Sequence, residues 1–364
     1  MTRNAVARFV LGMMVFAVGC AGGKKEEATA GGEEKMIADL VGLLAKGDDA
    51  QQSLAAEALG KIGPPAKSAM PELKKLLEDN DPVVCTAAAF AVLRIEPGDK
   101  ALGESALTAL ENGLASTDER ARIESARALG HVGSIAAKTV PSLCKALKDD
   151  QPHVQAFAAE ALAKIGSPGL SCVMESLNDD KSRHWAVVVL GEMGADAKSA
   201  VPALLKVLKS DDNVSRGEAA LALGAIKPDS PEVVEALAAA LTDKNGVVRA
   251  SAAYALGEIG EPAKASIPAL RNATKTEDAF LNSLAAITLI KLQMEINEET
   301  KDVVGVLATA LKDEHPRIRL AACQSLATIG PAAKDALPAL EEAAKDKDSN
   351  VADAAKEAIQ KIKG

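Results

Sequence analysis

LTDKNGVVRASAAYALGEIG, Leu241 to Gly260, holds a turn and a helix whose pattern returns along almost the whole 364-residue chain. Its final words recur as AAEALGKIG (Ala55 to Gly63), SARALGHVG (Ser125 to Gly133) and SLATIG (Ser325 to Gly330). Aligning on the Gly after the Leu gives ten anchors: Gly60, Leu93, Gly130, Ala163, Gly191, Gly224, Gly257, Ile290, Ala327 and Gln360. Six of the nine spacings are 33 residues, two are 37 and one is 28, a period that belongs to stacked repeats rather than to one closed core.

Each unit reads as two short helices. One position before the anchor, eight units carry Leu and the others Val or Ile; five positions before it, every unit carries Ala or Ser. Small residues let neighbouring helices approach while the aliphatic ones fill the gaps. Glycines such as Gly63 and Gly260 suit a helix C-terminus that needs the left-handed conformation. The first helix opens at a proline in alternate units, at Pro71, Pro141, Pro202, Pro268 and Pro338, where the missing N–H does no harm. Ala-Lys pairs alternate in the same way, which points to growth by duplication of a two-repeat cassette. With no strand-like alternation, the expected fold is all-α, an α-solenoid (superhelix) of about ten stacked two-helix repeats over residues 36–364.

The words LKDDQPHVQAFAAEALAKIG (Leu147 to Gly166) and LTDKNGVVRASAAYALGEIG resemble HEAT repeats, in the short form also called phycobilisome-lyase HEAT-like. The resemblance implies a ladder between an Asp in the turn and an Arg early in the second helix. On that basis Asp243 goes with Arg249 and Asp313 with Arg319, and Arg122, Arg183 and Arg216 hold the same Arg position. It also implies that second helices line the concave side of the array, where a partner would be held.

The N-terminus reads as an address. Arg3 and Arg8 precede the apolar run FVLGMMVFAV (Phe9 to Val18), too short to span a bilayer comfortably, and Ala17-Val18-Gly19-Cys20 resembles a bacterial lipobox. Residues 1–19 are then a lipoprotein signal peptide, Cys20 the lipidated residue, and 20–35 a flexible tether reaching about 20 Å on average. The expected location is an exported bacterial lipoprotein, periplasm-facing or at the cell surface, held to the membrane through the N-terminal lipid alone. Cys85 and Cys323 read as small buried hydrophobes; Cys144 and Cys172 fall in first helices, and export would permit their oxidation.

The net charge of −9, the absence of a basic block and 2% aromatics exclude an ordinary nucleic-acid surface. His131, His153, His184 and His315 lack the three- or four-residue partner of a zinc site, and the His-Glu dipeptides that hold iron in the HEAT-repeat deoxyhypusine hydroxylases are missing. Asp-Asp pairs at Asp48, Asp149, Asp179 and Asp211 read as helix caps rather than calcium ligands. No catalytic residue, metal or cofactor is expected.

Two columns of the second helix, six and three positions before the anchor, vary where their neighbours stay small. They place Phe157, Trp185, Val188, Leu221, Tyr254 and Ile287 on one face of the middle units, including the chain's only Trp and only Tyr. The expectation is a non-enzymatic scaffold that holds a protein partner there. The alternatives are an accessory or lyase-like subunit of an envelope enzyme, and a structural spacer without a specific ligand.

Overall fold

The computed structural model describes residues 30–292 and 301–364; the leader and Cys20 lie outside them. Among the described residues the chain is helical without strands, and it divides at Gly166 into two compact bodies. The N-terminal body holds four helix pairs: α1 (Ala30–Lys46) with α2 (Asp49–Ile62), α3 (Met70–Leu76) with α4 (Pro82–Ile95), α5 (Lys100–Leu114) with α6 (Glu119–Val132), and α7 (Val140–Ala146) with α8 (Pro152–Ile165). Six more pairs form the C-terminal body. They are α9 (Leu170–Ser176) with α10 (Arg183–Met193), α11 (Val201–Val207) with α12 (Asn213–Ile226), and α13 (Pro231–Ala240) with α14 (Gly246–Ile259). After these come α15 (Ile267–Ala273) with α16 (Ala279–Lys291), α17 (Asp302–Ala310) with α18 (Pro316–Ile329), and α19 (Leu337–Ala343) with α20 (Ser349–Lys363).

Odd-numbered helices are thus the first of each pair and even-numbered ones the second. Within each body the stacking runs mainly from one second helix to the next. The column five positions before the anchor makes this possible: Ala88, Ser125, Ala158, Ala186, Ala219, Ala252, Ala285, Ala322 and Ala355 are all fully buried. Leu59, Leu129, Leu162, Leu190, Leu223, Leu256, Leu289 and Leu326, just before the anchor, are also at 0% exposure. Anchor glycines mark close approaches between units, and a Cβ on Gly224 would stand 2.7 Å from the Cα of Ala255 in the next unit.

Two kinds of joint alternate, except after α8, where a short 3-10 turn, Ser167–Gly169, leads into α9. After the odd units the chain passes through a 3-10 turn into a helix with proline in its first turn, as in Pro64–Ala69 before α3 and Glu261–Ser266 before α15. Gly63 (φ 77) and Gly260 (φ 76) open these turns at a positive φ, with ψ near −140 rather than in the left-handed helical well. Between α4 and α5, and between α12 and α13, the turn is absent and an Asp99 or Ser230 side chain caps the next helix directly. One boundary differs from expectation: α1 begins at Ala30, six residues inside the expected tether. Glu33 in its first turn complements the positive end of the helix and helps it extend across Gly31 and Gly32.

Candidate functional site

The arginine ladder is present, but it is shifted by one unit from the expected pairing. Arg216 donates from Nε and Nη2 to both carboxylate oxygens of Asp243, each at 2.9 Å, and Asp243 belongs to the following unit. Arg319 holds Asp346 at 2.6 and 2.9 Å, Arg122 holds Asp149 at 2.8 and 3.2 Å, and Arg249 reaches Asp278 at 2.6 Å. The expected Asp243–Arg249 and Asp313–Arg319 pairs involve only the aspartates' backbone, whose carbonyls accept from Arg Nη1 at 2.9 and 2.8 Å. The Asp313 carboxylate instead accepts from the His315 backbone N–H.

Each arginine therefore grips its own turn through carbonyls and the next unit through a carboxylate. Where the position carries a shorter side chain, only the first grip remains: Gln52 donates to the Leu44 carbonyl and Asn282 to that of Thr276. Arg183 is the exception among the arginines, bonding the Leu177 carbonyl and the exposed Asp180 of its own turn. The Asp-Asp pairs act as caps and rungs. Asp48 and Asp212 accept from the opening N–H groups of α2 and α12, and Asp149 receives Arg122. Among the described residues no cluster of His, Cys, Asp and Glu could hold a metal, and no helix is long and apolar enough to cross a membrane.

Of the six candidate face residues, Phe157 lies half-buried on α8 of the N-terminal body, and the other five lie in the C-terminal body. Trp185 on α10 and Tyr254 on α14 are half-buried, with surface left to offer. Val188, Leu221 and Ile287 are not the open surface expected of them, being only 7%, 7% and 6% exposed. Their column, three positions before the anchor, leans on the unit before it: Phe90, at the equivalent place on α4, packs its ring over Gly60. Tyr254 carries the Lys291 ammonium 5.6 Å from its ring centroid. Lys291 and Lys227 both reach Glu258, at 3.2 and 3.3 Å; burial works to raise that carboxyl, and the two lysines outweigh it.

One turn nearer the helix start, the same face continues with Val214 on α12 at 48% exposure and Phe280 on α16 at 36%. The spacing Phe280, Leu284, Ile287 is the i, i+4, i+7 of one helical face, so the signal was in the sequence one turn further from the anchor. The N-terminal body has a separate shallow depression, open to solvent and rimmed by charged side chains, on its own second helices. There Leu54 is 61% exposed, and Arg127 bridges Glu57 at 3.0 Å and Glu124, with His131 edge-on to Phe90 at 5.8 Å.

A family model for HEAT repeats matches residues 37–130, 107–191, 174–257, 201–291 and 284–360. Among solved structures, importin beta in an ammonium sulfate condition aligns with a TM-score of 0.64 at 15% identity, covering 91% of this chain and 53% of that one. The karyopherin Kap121p bound to the extreme C-terminus of the protein phosphatase Cdc14p gives 0.61 at 15% identity, covering 100% and 46%. Kap121p bound to Nup53p gives 0.61 at 14%, again covering 100% and 46%. The chain spans about half the length of these structures, and at such identities the likeness concerns the fold alone. No curated protein matches it.

Proposed function

The chain belongs to the HEAT-repeat family, and from that premise we propose that it is a non-enzymatic scaffold displayed on the cell envelope, holding a protein partner on its second helices. The observation that carries this reading is the run of partly exposed apolar side chains, Trp185, Val214, Tyr254 and Phe280, along successive second helices of the C-terminal body. Large apolar and aromatic groups gathered on one surface of an acidic molecule favour a protein partner over nucleic acid. Kap121p is bound to the extreme C-terminus of Cdc14p in one of those structures and to Nup53p in another, which supports the same use of this architecture. Export and anchoring rest on the lipobox resemblance at Cys20.

Capture from envelope extract tests the reading. The soluble form beginning at Ala21 would be compared with a variant carrying Trp185→Glu, Val214→Glu and Tyr254→Glu, its helicity verified by circular dichroism. A protein retained by the parent and lost by the folded variant supports the proposal. Identical capture by both, or by neither, removes the face from consideration.

A further inference from the structure

Glu218, on α12, occupies the same repeat position as Trp185 on α10 and Ser251 on α14, on the face just described. It is only 8% exposed. One carboxylate oxygen, Oε1, lies 2.6 Å from His184 Nδ1, while the other, Oε2, is buried without a hydrogen-bond partner. Burial pushes the pKa of this carboxyl up, the contact with His184 opposes that, and the nearby Asp212 charge adds to it. A buried oxygen left without a donor is unfavourable, more so when charged, and is uncommon in folded proteins.

We infer that Glu218, with His184 and Trp185 beside it, is the recognition point for one cationic side chain, a lysine ammonium or an arginine guanidinium, set in an apolar segment of the protein partner. This rests on the reading of the C-terminal face as the partner site. A charged donor offsets carboxylate desolvation better than a neutral one, since charge-assisted hydrogen bonds are roughly twice as strong. Trp185, whose ring meets His184 edge-on at 4.8 Å, adds a π surface of the kind that attracts cations and repels anions. Val214 and Tyr254 nearby along the face would take the apolar neighbours of that cation and shield it from water.

The chain's only tryptophan sits in this cluster, so its emission reports the site. The soluble form beginning at Ala21 would be titrated with a leucine- and alanine-based helical peptide bearing one central lysine, and with its twin bearing norleucine there. The lysine peptide should bind at least tenfold tighter, and in Glu218→Gln the preference should fall to about twofold or less. Equal binding of the twins overturns the inference while leaving the partner face intact. A lysine preference kept in Glu218→Gln overturns it too, and makes Glu218 an internal group. No response to either peptide also overturns it, while capture from extract judges the partner face independently. The twin comparison on the unmodified chain decides the question even if Glu218→Gln fails to fold.

Discussion

Gly224 shows what a single atom does here. A methyl group at this position would meet the backbone of Ala255, so Gly224→Ala should lose about 1–3 kcal/mol in a urea melt. Gly191→Ala, whose nearest neighbour is the Ala222 backbone at 3.3 Å, should lose less. Arg216 is 5% exposed and clamps Asp243, so Arg216→Ala should cost about 3 kcal/mol. Arg183→Ala should cost well under half as much, because Asp180, its carboxylate partner, is 92% exposed. Arg216 and Arg319 hold the carboxyls of Asp243 and Asp346 below their ordinary value of 3.8. A depressed carboxyl stabilises the fold above its unfolded value and stops doing so as pH falls through the folded one. Stability should therefore drop below about pH 4, and less steeply in Arg216→Ala; thermal melts between pH 2 and 6 measure this. The arginine column was legible in the sequence, whereas its partner was assigned to the aspartate six residues away. The true partner sits 27 residues on, at Asp149, Asp243 and Asp346, a register that local spacing hides and the repeat period contains.

Helices here begin and end for reasons that short words reveal unevenly. Asp212 accepts from Val214 and Ser215 N–H at the start of α12, so Asp212→Ala should weaken the chain by about 1 kcal/mol, measurable by denaturant titration. The prolines marked the first helices correctly, but the 3-10 turns before them were not visible, because Ala, Lys and Ser there suit either helix type. The candidate face was half legible. Side-chain size located Trp185 and Tyr254, while burial depends on the neighbouring helix, which one strand of sequence does not display; hence Val188, Leu221 and Ile287 were expected outside and lie inside. Val214 and Phe280 were missed because the count from the anchor stopped one turn short.

The architecture as a whole was the most legible level, since a repeat writes its contacts many times over. Units couple mainly to neighbours, so amide hydrogen exchange should be slowest in the middle of each body and fastest in α1 and α20. If Cys20 carries the anchor, Cys20→Ala should leave a chain that is released from membranes by washing, as fractionation would show. The clamp geometry gives the array a direction. Every cross-unit ladder arginine belongs to the earlier unit and its aspartate to the later one, and α20 has Ala352 where an arginine would stand. Removing the last pair strands Arg319, nearly buried, whereas shortening from the other end strands only an aspartate that can turn to water. The molecule is thus a vector: it tolerates trimming from its beginning better than from its end.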